Sequence, residues 1–498
     1  MIRSISMQSK TPFLTGFPTR LFGSSKRSAQ ADLERRRRSL YRDSLGGVCW
    51  QLAEEIPAEL VSTVADTSRH RVYSQEVTFW AFLSQVLGED GSCAKAVSEV
   101  QQWYRQRGLA TPSARTASYV EARQRLPEEM LRKIHRHLFA QLERHSPAAI
   151  RWRGHRVKAI DGTSAQVPDS ARNQTKYPQP SSQDPGCGFP VVQLVGLLDL
   201  NHGGWEDFVE SDLNTSETEG FDQLFDCIES GDILVGDRAY VSFEAIARLQ
   251  QSEAHFVGRN HQSRKLDFRK GKKLGPNERL QVWRKPHWQT PGSKVSPEEW
   301  ASLPDQIPVR IIRVKTTGRD GKAVTRNIVT TLLDAQRYPA EEVASLYVHR
   351  WEIELRFRDI KTTMKMEMLR TKSPEMIRKE LMMHMIVYNA LRLLMLKSAG
   401  LRGANHRRLS FKGALQVLGS TSGNFLHAGS RPRVLRRERS ELMRQIAERV
   451  VPTRPGRNEP RNVKRRPKCS RWLQVPRDRH PEHFHYDDPP EKILDQLA

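Results

Sequence analysis

The chain is predicted to be α/β, with a mixed sheet flanked by helices, a helical region ahead of it and a β-rich insertion inside it. Three observations predict this. Between residues 157 and 257, short apolar runs alternate with helical patterns. Two of those runs end in an aspartate, and in an open α/β sheet the strand ends form the ligand-binding edge. Ahead of residue 150, apolar residues recur at helical spacing and do not alternate.

Composition narrows the function. The 498 residues are enough for two or three domains. Lys and Arg number 81 against 57 Asp and Glu, a net charge of +24, which points to a polyanionic partner. Nucleic acid fits better than a membrane, because no basic amphipathic anchor stands out and no run is apolar enough to span a bilayer. Leu381 to Leu396 contains His384, Asn389 and Arg392, so it reads as a buried helix. The five cysteines, Cys49, Cys93, Cys187, Cys227 and Cys469, are odd in number and show no CxxC spacing. That argues against a disulfide scaffold and a zinc finger, and fits a reducing cytoplasm.

Residues 1–70 read as a basic arm. Met1 to Ala31 lack any acid, a composition that suits a nucleic-acid-binding arm and is shared by transit peptides. The run Arg35 to Arg38 adds to its charge. Residues 71–150 read as a small helical domain for DNA-end binding or packing. Its core candidates are Val77, Trp80, Leu83, Val86 and Leu87, then Val97 and Val100, then Tyr119, Leu126, Met130, Leu131, Ile134 and Leu138.

Residues 151–400 read as the α/β domain. Val157 to Ile160 is predicted to be a short strand ending in Asp161-Gly162-Thr163, a weak signal alone because Asp-Gly also makes a plain turn. Val191 to Leu200 is a second strand, placed centrally by its apolar run. Thr215 to Glu229 is helical, and Asp232 to Val235 is a buried strand ending in Gly236-Asp237-Arg238. A helix over 243–251 and a strand over 254–257 continue the alternation. Residues 260–330 form the insertion, with a basic cluster from Arg264 to Lys273; Trp283 and Trp288 within it are expected to pack in its core. Residues 401–498 read as a basic region, with 431–479 a linker and phosphate-contacting tail; His483 and His485 lack a third ligand for a metal.

The stretch Tyr347 to Lys361 is predicted to be helical, with a local break near Arg350–Trp351 as the alternative. At about 100° per residue, Tyr347, Arg350, Glu354 and Lys361 fall within an arc of roughly 60°. One carboxylate, two cations and a phenol then share a stripe suited to a metal-assisted phosphate site. The plainer reading is an i,i+4 ion pair of Arg350 with Glu354, with Trp351, Ile353, Leu355, Phe357 and Ile360 packed in the core.

Asp161, Asp237 and Glu354 are the candidate catalytic acids. Their hard oxygens suit Mg²⁺ or Mn²⁺, and two such ions can promote phosphodiester chemistry. Asp161-Gly-Thr, Gly236-Asp237-Arg238-x-Tyr240 and Tyr347-x₂-Arg350-x₃-Glu354-x₆-Lys361 resemble the DDE transposases of the bacterial insertion-sequence-four family. The last pattern is that family's YREK signature, and the resemblance covers about residues 155–400. It implies a ribonuclease H-like fold, Asp161, Asp237 and Glu354 as ligands of two metal ions, and Tyr347, Arg350 and Lys361 as DNA-phosphate contacts. It also implies cleavage at terminal inverted repeats, strand transfer into target DNA, and a homodimer in the DNA complex. Alternatives are a non-catalytic DNA-binding derivative and a purely hydrolytic nuclease. One feature departs: members that form hairpin ends carry an indole before the strand preceding the signature, where this chain has Asn327-Ile328-Val329.

Overall fold

The computed structural model describes residues 51–452, apart from 62–71 and short breaks at 89, 107, 262–263, 265, 290–292, 294, 318–322 and 429–430. The expectations for residues 1–50 of the N-terminal arm, for the histidines at 483 and 485 and for the tail beyond 452 lie outside the described residues, whereas within the arm Leu52, Ile56 and Val61 are buried in the core.

Among the described residues, a one-turn helix at Ala58–Val61 and four longer helices precede the sheet: α1 (Gln75–Leu87), α2 (Cys93–Gln106), α3 (Ala117–Arg125) and α4 (Glu128–His145). Ser74 caps α1 by accepting from the Val77 amide at 3.2 Å. The periodic residues Trp80, Leu83, Val97, Val100, Tyr119, Leu131, Ile134 and Leu138 are all buried. Their core runs without a break into the sheet and the later helices.

The sheet has nine strands in the order β3-β2-β1-β4-β5-β9-β8-β7-β6. Strands β1 (Val157–Gln166), β2 (Val191–Asp199) and β3 (Trp205–Ser211) form an antiparallel meander, and β4 (Ile233–Gly236) and β5 (His255–Arg259) join parallel to β1. Side chains alternate between two cores. Val157, Ala159, Ile233 and Val235 face one side, while Ile160 and Leu234 face the other. Burial on both faces is why these strands read as apolar runs.

The short helices α5 (Ala171–Lys176) and α6 (Glu217–Leu224) flank the meander, and α7 (Phe243–Gln251) links β4 to β5. The insertion holds β6 (Lys272–Gly275), β7 (Glu278–Arg284), α8 (Pro297–Ser302), β8 (Gln306–Thr317) and β9 (Ala323–Thr330). It extends the main sheet, because β9 pairs antiparallel with β5 through Val257 and Thr330. A mixed sheet flanked by helices, with an N-terminal helical region and a β-rich insertion, is a ribonuclease H-like arrangement.

After the insertion come α9 (Ala340–Val348), α10 (Trp351–Arg358) and the long α11 (Pro374–Arg402), then α12 (Phe411–Ala428) and α13 (Pro432–Glu448). Ser373 caps α11, and Gly403 ends it at a φ of 60°, a left-handed cap that favours glycine. The polar residues of α11 clamp the β2–β3 connection. Asn389 holds both the amide and the carbonyl of Trp205, Arg392 donates to His202 O at 2.6 Å, and Tyr388 to Gly203 O at 3.0 Å. Among the described residues, no helix is long and apolar enough to cross a membrane.

The linker reading fails for 432–448. Leu442, Met443, Ile446 and Ala447 of α13 are buried, and Arg439 pairs with buried Glu55 at 2.5 Å. High charge masked an ordinary amphipathic helix there.

Candidate active site

Asp161 is not at a strand end. Strand β1 continues to Gln166 along β2, but β4 pairs only with Val157, Lys158 and Ala159. The acid therefore stands where β1 outruns its parallel neighbour. It was misread because Asp-Gly resembles a turn, while here the glycine is a strand residue. Asp237 directly follows β4 and caps a 3₁₀ turn, its Oδ1 accepting from the Ala239 amide at 2.7 Å. Parallel pairing of β1 with β4 brings the two aspartates to one edge of the sheet.

The signature stretch is not one helix. It breaks at His349–Arg350, where Glu352 and Ile353 donate three residues back, to His349 O and Arg350 O. Beyond Arg358 it widens into a π-helical turn, Asp359–Thr363, which contains Lys361. The single-helix stripe is thus replaced by three segments, and the residues still converge. Arg350 donates to Asp161 Oδ2 at 3.2 Å and to Glu354 Oε1 at 3.1 Å. Tyr347 lies beside the same guanidinium. Lys361 donates to the hydroxyl of Thr163 at 3.2 Å. Ile353, Phe357 and Ile360 are buried as expected, but Trp351 and Leu355 are 50% and 43% exposed. Those two stand on the solvent side of α10, while Ile353, Arg356 and Phe357 form its buried side.

Electrostatics set these groups apart from a surface ion pair. Burial pushes the Asp161 carboxyl up to about 6; Arg350 and the Gly162 amide oppose the shift, and Glu217 and Asp237 add to it. Burial would lower the Arg350 guanidinium, but Asp161, Tyr347 and Glu354 outweigh it and the net shift is upward. Tyr240, buried beneath, is raised well above its ordinary value by burial and then by Glu217, Asp161 and Asp237.

Glu217 is a further acid in this cluster that the sequence pattern did not single out. It lies in the first turn of α6, and a Cβ at residue 162 would come within 2.1 Å of its Oε1. The available signal was Gly162 itself, since glycine inside a strand marks a close approach. In the insertion, core packing holds for Trp283, which is half-buried against the core that includes Ile307, Val309 and Val329, with the Arg264 guanidinium 3.9 Å from its ring centre. Trp288 does not pack there and is 85% exposed.

Residues 152–390 match the family model described as the transposase DDE domain. The transposase InsG for insertion sequence element IS4 of Escherichia coli (strain K12) is 28% identical over 447 residues, 85% of this chain and 94% of that protein. Over most of its length the chain is similar to an IS4 transposase, and its central part to the transposase DDE domain. A solved structure of the piggyBac transposase synaptic complex with hairpin DNA covers 85% of this chain and 87% of that one, at 12% identity and a TM-score of 0.39. A likeness that slight has no bearing on the fold.

Among the described residues, no group of three or more His, Cys, Asp or Glu stands close enough to hold a metal ion. The donor chemistry nevertheless fits a divalent cation. The cluster offers only carboxylate oxygens, the ligands that Mg²⁺ and Mn²⁺ take. Glu217 and Asp237 add repulsion at Asp161, and the Arg350 guanidinium stands between Asp161 and Glu354.

Proposed function

We propose that this protein is an active DNA transposase that cuts at transposon ends and joins them to target DNA. The observation that carries the reading is the Arg350 bridge, which brings acids from β1 and α10 to one guanidinium although they lie far apart in sequence. The same guanidinium meets two of the candidate acids, and Glu217 and Asp237 add negative charge at Asp161.

In this reading Asp161, Asp237 and Glu354 hold two Mg²⁺ or Mn²⁺ ions. The chemistry such ions supply when bound is activation of an attacking oxygen and stabilisation of a leaving one. Arg350 presents a planar fork that matches a phosphate as well as it matches two carboxylates. Lys361 and Tyr347 flank the same place and contact phosphates beside the scissile bond. Water attacks first: one P–O bond forms, one breaks, and a 3′-OH is released. That 3′-OH then attacks a target phosphodiester, again exchanging one P–O bond for another, so no outside energy source is required. The partners are the terminal inverted repeats and target DNA, held by a homodimer, and the +24 charge supports the attraction.

Incubation of the full chain with end-bearing DNA, Mg²⁺ and a target plasmid tests the reading. Joined product is expected. Nicks alone would make the protein a hydrolytic nuclease, and a mobility shift alone a DNA-binding derivative.

A further inference from the structure

We propose that the cavity beside α9 is a DNA-backbone contact, taking a phosphate on its arginine rim and a deoxyribose on its apolar floor. The inference rests on the reading of the chain as a DNA transposase and adds to it a site outside the acids of the candidate active site.

The cavity, of about 340 Å³, lies where the start of β1, the end of β2 and α9 meet. Its buried lining residues, Val157, Leu200 and Leu346, make an apolar floor. Arg151, Arg153 and Arg407 also line it, are less buried and form the rim. Arg153 forks onto Glu342 through Nε at 2.7 Å and Nη2 at 2.5 Å, which neutralises a carboxylate of the lining. Arg407 is fixed by its Nη2, which donates to Leu200 O at 2.9 Å, while its Nη1 stands 3.9 Å from Glu352. Arg151 is exposed, and among the described residues its guanidinium has neither an acid nor a hydrogen-bond partner. Three arginines set against Glu342 leave the cavity with an excess of positive charge.

A cation kept for solubility needs no cavity beneath it, and an anion held by charge alone needs no apolar floor. A cationic rim over an apolar floor suits a ligand that is anionic at one point and apolar at the next. The DNA backbone, with its alternating phosphates and sugars, is such a ligand, and both are contacted by proteins that position a duplex. The arginine fork matches phosphate oxygens bidentately. His349, at the C-terminal end of α9, lines the cavity too, with its Nδ1 held 2.9 Å from Glu352. It directly precedes Arg350, so the contact borders the candidate active site.

The test is fluorescence anisotropy of the full chain on labelled duplexes of two unrelated sequences across a salt series, with thermal melting of each variant. Arg151→Ala is expected to weaken binding to both duplexes at least threefold and to make the log–log slope shallower by about 0.9, with the melting temperature unchanged. Ile150→Trp fills the cavity without changing any charge and should weaken binding similarly. Arg172→Ala, which removes an exposed arginine paired with Glu375 elsewhere, should bind as wild type. Equal weakening by Arg151→Ala and Arg172→Ala, with none by Ile150→Trp, would reduce the effect to net charge and overturn the site. So would inorganic phosphate that protects wild type, but not Arg151→Ala, from heat while both bind DNA alike, since the cavity would then serve a free anion. If Arg151→Ala and Ile150→Trp both bind as wild type, and wild type joins ends to target DNA, the cavity is no DNA contact and the transposase reading stands. If wild type binds no duplex, both readings fall.

Discussion

Arg350 donates to Asp161 at 3.2 Å and to Glu354 at 3.1 Å, so a single guanidinium joins the central sheet to α10. Its side chain is 11% exposed and that of Asp161 17%, which separates this pair from the surface ion pairs that contribute almost nothing. Arg350→Ala leaves a sheltered carboxylate beside Glu217 and Asp237 with no counter-charge. The expected cost is about 2 kcal/mol of stability near pH 8. Removing the cation that holds the Asp161 carboxyl down raises it further above about 6, so the variant recovers part of its loss as pH falls to 5 and Asp161 protonates. Arg350→Lys keeps the charge but not the fork, and should still lose cleavage. Denaturant unfolding at the two pH values, with cleavage assays on the same preparations, checks this; a loss under 0.5 kcal/mol with full activity would reduce Arg350 to an ordinary surface pair.

Lys361 reaches Thr163, two residues along β1 from Asp161, by way of the π-helical turn. If its ammonium moves to a phosphate when DNA binds, Lys361→Ala weakens binding to every duplex alike. DNA affinity as a whole is expected to fall steeply with salt, and the log–log slope of the variant should be shallower by about 0.9. Fluorescence anisotropy across a salt series reads both quantities. An unchanged slope would confine Lys361 to contacts within the fold.

The alternation of strands and helices was legible in the sequence because β1, β2, β4 and β5 are buried on both faces and must be apolar. The spacing from Tyr347 to Lys361 singled out Glu354 as a candidate acid, and the strand-ending pattern singled out Asp161 and Asp237. The break near Arg350–Trp351, weighed from the sequence as an alternative to one helix, is found at His349–Arg350, where backbone bonds shift from four residues back to three. Two features were not legible. Strand β3 was missed because its Glu206, Asp207 and Glu210 interrupt the pattern, although Trp205 and Phe208 are buried. Glu217 was missed because its place depends on the void at Gly162, a contact between two segments that no local pattern encodes.

Acid should destabilise the fold through two buried histidines. Burial holds His135 at about 4 and His406 at about 4, below the ordinary 6.5. His135 Nε2 lies 3.2 Å from the Asn389 amide nitrogen, which can donate to it only while the ring nitrogen is unprotonated. Between pH 6.5 and 4 the unfolded chain takes up protons that the folded one refuses. Their contribution is therefore complete above pH 6.5 and is lost as pH falls through that window, by about 3 kcal/mol for each ring at the lower end. Unfolding midpoints at pH 7.5, 6 and 5 should decline in that order, and less so in a His135→Gln, His406→Asn double variant measured against its own value at pH 7.5. A flat profile would mean that neither ring stays neutral in the fold.

The central claim is that Asp161, Asp237 and Glu354 act together on DNA. Asp161→Asn, Asp237→Asn and Glu354→Gln each remove one charge and almost no bulk, so the fold and the basic DNA-binding surface remain. The most direct measurement is cleavage of end-bearing DNA in Mg²⁺ by the three purified variants, with DNA binding measured in parallel. Each variant is predicted to bind DNA within a few-fold of wild type and to lose cleavage entirely. Near-wild-type cleavage by any one of them would remove that residue from the catalytic set and contradict the account.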